Sequence, residues 1–283
     1  MKIIALMLTW NNLEFFKCAL TQALSFCDEV IVIESCHLPN YPLHSTDGTY
    51  EYIQSIKNEK LVIINIEKFD HTIPNNSQLQ CHIRETYLKQ SKYWQPGNWV
   101  IHWDDDAFYF DKDLPLIKEL MESTPANVIS CKERRFGFNF RFNVLANIED
   151  FQASVMQKIT PGCHFTAPSK MCDKNGLIYI DRLKVPEITL HHYPYVKLTP
   201  RAKFRWALSV AKGCTSNKIT PKLWDDFSWE KDEDILKQGQ LFKSIVGGSE
   251  IASVNVYNGP HPEVLDSHPW KDVNDIRELR ENN

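Results

Sequence analysis

The sequence has no long apolar run, no basic tract and no cleavage signal near its start, and each absence excludes a class of protein. No segment of the 283 residues approaches the ~20 consecutive apolar residues that a membrane-spanning helix needs. Residues 1–8 are apolar but run into Thr9 without a small-residue cleavage site, so we expect a first strand rather than a signal peptide. The net charge of −4 and the lack of a Lys/Arg run give no reason to expect a nucleic-acid partner.

The cysteines also lack a pattern. Eight cysteines are scattered singly, with no C-x-x-C pair and no spacing typical of a zinc site. A chain of this size can bury a sizeable core without disulfides, so isolated cysteines indicate buried free thiols in a reducing compartment. We therefore expect a cytoplasmic protein without a transmembrane segment, for which peripheral contact with a membrane stays open.

The pattern that is present is typical of an α/β protein. Four apolar strands alternate with three helical patterns over residues 2–106, which predicts a mostly parallel, Rossmann-like central sheet flanked by helices. Alternating Phe and polar residues predict one further half-buried strand over 136–144. From residue 199 the composition changes to a basic and then an acidic helical pattern. We predict one domain over residues 1–198 and a C-terminal helical extension over 199–283 that packs on it.

The most informative stretch is an apolar strand that ends in three carboxylates, Asp104, Asp105 and Asp106. Adjacent ionised carboxylates repel one another and are costly to bury, and a bound cation is the simplest way to hold them together. The carboxyl ends of strands in an α/β sheet are also where ligands bind. We therefore expect a divalent metal site for a phosphorylated ligand, and the alternative is a solvated acidic turn.

Seven features along the chain are informative together: residues 2–6, 29–35 and 45–49, Arg84, Asp104-x-Asp106, and residues 190–196 and 259–264. In this order they resemble features of family-2-like glycosyltransferases of the GT-A fold. The last two are similar to the HYG(W/Y)V and GxHPxV stretches of a bacterial and viral subgroup. Two departures are that residues 36–45 separate Ser35 from Thr46, where the family runs on directly, and that Glu34 stands where Asp is commoner.

The resemblance implies a metal-dependent enzyme that transfers a sugar from a UDP- or GDP-sugar to a glycan or lipid-linked acceptor. Asp106 would ligate the metal directly, and Asp104 would ligate it through water or hold the ribose. His192 is the expected third ligand, with His191 second, and only one of them can face the site because neighbours on a strand point to opposite faces. An imidazole ligand suits Mn²⁺ better than Mg²⁺.

The same resemblance divides the domain into a nucleotide-binding half, residues 1–110, and an acceptor half, residues 111–198. Each nucleotide contact could instead be a helix cap or a surface ion pair. The expected nucleotide contacts are Thr9, Asn11, Glu34, Asp47, Arg84, Asp104 and Asp105.

Direct displacement by an acceptor hydroxyl, which inverts the anomeric centre, needs a general base. Asp150 is the first candidate and Glu149 the second, while His164 and Glu187 remain open; a retaining enzyme would need no such base. Two other functions stay open. A sugar-nucleotidyltransferase usually carries a Gly-rich basic loop after its first strand, which Thr9–Asn12 is not, and a catalytically silent carbohydrate-binding protein would not need the acidic triplet.

Overall fold

A computed structural model of the chain describes residues 1–36, 41–67, 76–137, 139–146, 152–167, 170–176, 181–196 and 251–273. The helices are α1 (Leu13–Phe26), α2 (Thr49–Ser55), α3 (Asn76–Leu88) and α4 (Asp113–Ser123), with a 3-10 turn at Glu263–Leu265. The strands are β1 (Ile3–Thr9), β2 (Glu29–Glu34), β3 (Leu61–Asn65), β4 (Trp99–His102), β5 (Ala107–Phe108), β6 (Val128–Gly137), β7 (Phe142–Ala146), β8 (Gln152–Lys158), β9 (His164–Ala167), β10 (Lys170–Cys172), β11 (Arg182–Tyr195) and β12 (Ile251–Val256).

The N-terminal half is a parallel sheet in the order β3-β2-β1-β4. Its strands β1, β2 and β4 are continuous apolar runs, as expected for strands that are covered on both faces. Parallel strands joined by helices direct their carboxyl ends to one edge, so Thr9, Glu34 and the acidic triplet lie at the same edge. This arrangement confirms the predicted α/β class with a Rossmann-like, GT-A-like half.

The other half of the sheet is mixed. β8 pairs antiparallel with β4 and with β6, and β7 and β12 continue the sheet outward in antiparallel fashion. The long strand β11 runs parallel to β6 and also pairs antiparallel with the short β5 that follows the acidic triplet. β11 therefore connects the C-terminal half of the sheet to the strand ends of the N-terminal half.

One local prediction is wrong, and one feature of the C-terminal segment was not predicted. The predicted strand over 136–144 is divided between β6, which ends at Gly137, and β7, which begins at Phe142 and pairs back on β6. The sequence pattern does not reveal the bend between these strands, because the alternation of Phe and polar residues continues through it. Residues 251–273, the described part of the predicted C-terminal extension, form β12 and the 3-10 turn, whereas the basic and acidic helical patterns that begin the extension lie outside the described residues. β12 pairs with β7 in the main sheet.

An aromatic cluster joins α1 to the end of β11. Phe15, fully buried on α1, stacks on Tyr193 of β11 and on Phe140, and its ring also contacts His268 and Trp270 of the C-terminal segment. These contacts hold the chain after β12 against the first helix, so it belongs to the same core.

Neither disulfides nor membrane spans are found in the described residues. The seven cysteines described there are all free thiols, and five of them are buried. None of the helices described is long and apolar enough to cross a bilayer.

We predict that Phe15→Ala lowers the free energy of unfolding by about 3–5 kcal/mol, because it opens a cavity among rings that cannot collapse into it. Urea denaturation followed by circular dichroism measures the loss. Leu116→Ala is the control, because Leu116 is 40% exposed and should change stability by less than about 0.5 kcal/mol. Equal effects of the two substitutions would contradict the central role of the cluster.

Candidate active site at the acidic turn

The three aspartates occupy a tight turn between β4 and β5. The Ala107 amide donates a hydrogen bond to the Asp104 carbonyl at 3.2 Å, which closes the turn. The Trp103 indole donates a second one to the Ala107 carbonyl at 3.0 Å. Trp103 is almost fully buried, so its bulk anchors the turn in the core. The backbone of the turn is thus fixed by local hydrogen bonds, and its carboxylates are directed by their own contacts.

The three carboxylates are not equivalent. Asp104 is the most accessible, with half of its side chain exposed. Asp105 is buried and accepts a hydrogen bond from the Thr9 hydroxyl at 2.7 Å, which ties the turn to the end of β1. Asp106 is also buried, and it faces His192. Of the three, Asp105 is the one held by a hydroxyl of the neighbouring strand.

His192 reaches the acidic turn because β11 pairs with β5, in a register that sets His192 opposite Ala107. The Tyr193 amide also donates to the Asp106 carbonyl at 2.9 Å. The Nε2 atom of His192 lies 3.0 Å from Asp106 Oδ1 and 3.9 Å from Asp104 Oδ2. Both carboxylates of the Asp-x-Asp pair therefore approach one nitrogen.

His191 faces the opposite side of β11. Its ring packs on Phe110 and Phe136, and its Nε2 lies 3.4 Å from the Tyr257 hydroxyl. Burial, reinforced by the charge of Arg134, lowers the pKa of His191 to about 3. Of the two histidines considered from the sequence, His192 is the one beside Asp106.

Sequence reasoning did not single out Glu133, which the fold brings into the site. Glu133 on β6 accepts from His192 Nδ1 at 2.6 Å, and its side chain is only 5% exposed. Arg135, two residues along the same strand, donates to both of its carboxylate oxygens, at 2.8 and 3.2 Å. The only signal in the sequence was the charged run after Ile129–Cys131, which gives no indication of a partner on a strand almost sixty residues later.

The charges of this group depend on one another. Burial alone would lower the pKa of His192, but the carboxylates of Asp106 and Glu133 outweigh it and raise that pKa to about 9. Burial would raise the pKa of Glu133, but its hydrogen bond to His192 and the charges of His192 and Arg135 lower it to about 2. In the metal-free protein at neutral pH, His192 is a cation between two carboxylates.

Glu34 and Asp47 are each engaged by neighbouring loop residues. Glu34 is buried and accepts from the Ser45 amide at 2.7 Å and the Ser45 hydroxyl at 2.5 Å, with His44 at 2.9 Å. Asp47 accepts from the Leu13 amide at 3.0 Å, at the start of α1, and from the amide and hydroxyl of Thr49. A carboxylate has about four acceptor positions, so each of the two has room for about one more donor.

Asn11 links the end of β1 to the same loop. The backbone amide of Asn11 donates to the Ser45 hydroxyl at 2.8 Å, and its side-chain oxygen accepts from the Thr46 backbone amide at 2.7 Å. Its φ of +48° lies in the left-handed region, which Asn tolerates better than most residues. The loops after β1 and β2 therefore form one hydrogen-bonded unit.

Arg84 is buried and bonds His102 rather than a carboxylate. Its Nη1 lies 3.0 Å from His102 Nδ1, and Asp104 attracts its charge without a hydrogen bond. Burial and the charge of Arg84 lower the pKa of His102 well below its usual range, so His102 is neutral and accepts at Nδ1. Arg84 Nε and His102 Nε2 have no hydrogen-bond partner within the described ranges.

The predicted general bases, Asp150 and Glu149, lie outside the described residues. Of the other two candidates, His164 contacts the Cys172 thiol at 3.1 Å, in the β9–β10 hairpin, and Glu187 is exposed on β11. Among the described residues, neither makes a hydrogen bond or an ion pair with the acidic turn. The basic pattern that begins at Pro200 also lies outside the described part.

The donor chemistry of Asp104, Asp106 and His192 fits a divalent ion, because carboxylate oxygens with one imidazole suit Mn²⁺. The geometry is not preformed. Across the described ranges, no three acidic, His or Cys side chains already surround a common point as metal ligands do. His192 and Asp106 instead contact each other, which compensates both charges in the metal-free protein.

Comparisons with known proteins find only distant structural similarity. No protein-family model matches the sequence, and no curated protein matches it. Among solved structures, residues 1–349 of S. aureus TarS are similar, with 13% identity, a TM-score of 0.44, and coverage of 86% of this chain and 73% of that one. A second structure of S. aureus TarS has 13% identity and a TM-score of 0.45, and this chain spans 43% of its length. Likeness at this level indicates no activity.

We predict that the charge on His192 stabilises the metal-free protein in a defined pH window. Because its folded pKa of about 9 exceeds the ordinary value of 6.5, this stabilisation is complete below pH 6.5 and is lost as the pH rises through about 9. The contribution of Glu133 has the opposite sense, complete above pH 4.5 and lost as the pH falls through about 2. Both are therefore complete between pH 4.5 and 6.5.

His192→Gln should consequently reduce the free energy of unfolding most at about pH 6, by roughly 3 kcal/mol, and least above about pH 9. Urea unfolding of both proteins in the presence of a chelator, at several pH values between these limits, measures the difference. A difference that stays constant over that range would mean that His192 is not charged in the folded protein.

Proposed function

We propose that this protein is a metal-dependent glycosyltransferase that moves a sugar from a UDP- or GDP-sugar to a hydroxyl of a glycan or lipid-linked acceptor, with inversion. The single observation that carries the proposal is the convergence of Asp104 and Asp106 on His192 Nε2 at the ligand-binding edge of an α/β sheet. Carboxylates together with one imidazole at that edge are donors that suit a divalent cation bound to a diphosphate.

Mn²⁺, or Mg²⁺ as the second choice, would be held by Asp106 and His192, with Asp104 as a direct or water-mediated ligand. When bound, such an ion neutralises the charge that accumulates on a leaving diphosphate. The half-exposed Asp104 is the ligand that solvent and substrate can reach. Asp105 is excluded from the set, because the Thr9 hydroxyl already holds it toward β1.

The loops after β1 and β2 are proposed to hold the nucleoside. The two loops form one hydrogen-bonded wall, which is ordered by Glu34, Asp47 and Asn11. Glu34 and Asp47 can each accept about one more hydrogen bond, for example from a ribose hydroxyl or a base amine. Thr9 connects this wall to the acidic turn. A nucleotide that spans wall and turn would place its diphosphate at the carboxylates.

Arg84 is proposed to counter negative charge beneath the turn. Its guanidinium is buried without a carboxylate hydrogen bond among the described residues, and it attracts Asp104 through space. A buried cation that lacks a full set of acceptors favours an anion nearby. This supports a phosphate-bearing ligand over a neutral glycan.

In the proposed reaction, the acceptor oxygen bonds to the anomeric carbon while the bond from that carbon to the phosphate oxygen breaks. The nucleoside diphosphate leaves with the bonding electrons, and the acceptor proton passes to a general base. Asp150, with Glu149 second, remains our proposal for that base. The free thiols agree with a reducing compartment, and we propose a cytoplasmic site of action.

Calorimetric titration with UDP and GDP, each with and without Mn²⁺, tests the proposal. We expect one nucleoside diphosphate to bind in a Mn²⁺-dependent manner. Asp106→Asn should weaken that binding by more than the roughly 100-fold that changes in outer-shell residues cost, because it removes a direct ligand. Asp272→Asn, at an exposed carboxylate of the C-terminal segment, is the matched control and should bind as the unaltered protein does.

The same protein is then incubated with a panel of UDP- and GDP-sugars, and release of the nucleoside diphosphate is measured. Absence of Mn²⁺-dependent nucleotide binding, with no effect of Asp106→Asn, would refute the proposal. Turnover of a nucleoside triphosphate with a sugar phosphate would identify a nucleotidyltransferase instead. Glycan binding without nucleotide binding would identify a carbohydrate-binding protein.

A further inference from the structure

A buried carboxylate on β6 lies behind the proposed metal ligand His192. Glu133 Oε1 is 2.6 Å from His192 Nδ1, on the side of the ring opposite the nitrogen that approaches Asp106 and Asp104. The side chains of Glu133 and His192 are 5% and 12% exposed. This contact is therefore shielded from water and does not compete with solvent.

Glu133 is itself held in place. Arg135 follows Glu133 by two residues on β6, so both side chains lie on the same face of the strand. The Arg135 guanidinium donates one hydrogen bond to each carboxylate oxygen of Glu133. β6 and β11 pair in parallel, with Glu133 opposite Leu190 and Arg135 opposite His192. The backbone pairing of β6 with β11 and a bidentate ion pair therefore fix the direction of the Glu133 carboxylate.

The direction matters because an imidazole that ligates a metal through Nε2 must carry its remaining proton on Nδ1. A carboxylate that accepts from Nδ1 selects that tautomer, fixes the rotation of the ring and makes Nε2 a better electron donor. Glu133 occupies this position at hydrogen-bond distance, whereas the Nδ1 atom of His191 lies 3.4 Å from the carbonyl oxygen of Thr189.

We propose that Glu133 is a positioning residue that orients His192 for metal binding, with Arg135 as its support. The inference rests on the proposed function, because it presumes that His192 binds the ion. Glu133 contacts neither nucleotide nor sugar in this scheme. Its effect should therefore appear first in the affinity for the metal and not in the choice of nucleotide.

The experiment measures Mn²⁺ affinity of the nucleotide-free protein by calorimetry. We expect Glu133→Ala to weaken Mn²⁺ binding about 10–100-fold, in the range found for lost carboxylate partners of metal-bound histidines. Glu133→Gln keeps an oxygen that can accept from Nδ1, so it should recover part of the affinity and fall between Glu133→Ala and the unaltered protein. Glu122→Gln, at an exposed glutamate of α4, is the matched control and should leave the affinity unchanged.

Circular dichroism establishes that each variant is folded. Should Glu133→Ala fail to fold, the comparison of Glu133→Gln with Glu122→Gln decides, and Mn²⁺ affinity of Glu133→Gln equal to that of the control would overturn the inference. Binding that is lost in Asp106→Asn but unchanged in the folded Glu133 variants would overturn the inference alone. A protein that binds no Mn²⁺ at all would overturn the proposed function and this inference together.

Discussion

Four side chains of alternating charge run through the interior between β6, β11 and the acidic turn. Arg135 holds Glu133, Glu133 holds His192, and His192 faces Asp106. Taking such charges out of water costs several kcal/mol for each ion, and only complete pairing offsets that cost. The arrangement of β5, β6 and β11 therefore has to be accurate, because a slip of one residue along β11 would turn His192 away and remove the buried cation that lies between Asp106 and Glu133.

The aromatic cluster supplies that accuracy. Tyr193 follows His192, and since neighbours on a strand point to opposite faces, its ring enters the core just where His192 enters the site. It stacks on Phe136 and Phe15, and its hydroxyl contacts His261 Nδ1 at 2.7 Å. The C-terminal segment that carries His261 is thus part of what sets the register of β11. Packing of apolar rings on one face fixes the position of charges on the other.

Much of this could be predicted from the sequence, and the division has a physical cause. The strands up to residue 106 are continuous apolar runs separated by amphipathic helices, and such local patterns indicate both the sheet and the edge where Asp104 and Asp106 lie. Glu133 could not be predicted, because its role depends on the register of β6 against β11, strands far apart in sequence. β12 was missed for the same reason, since its place in the sheet comes from pairing with β7.

The connection after β2 illustrates how the sheet edge tolerates a longer loop. Residues 36–45 separate two stretches that follow each other directly in the family that the sequence resembles, yet the chain returns to β2, where the Cys36 amide donates to the Leu43 carbonyl at 2.7 Å. The end of this loop brings His44 and Ser45 to Glu34. The side chain of Glu34, which is longer than that of Asp, reaches both residues. The turn beyond then meets Asn11 and the start of α1, through Thr46 and Asp47. The buried carboxylate of Glu34 therefore takes its hydrogen bonds from the residues that end the loop, so the loop and this side chain stabilise each other.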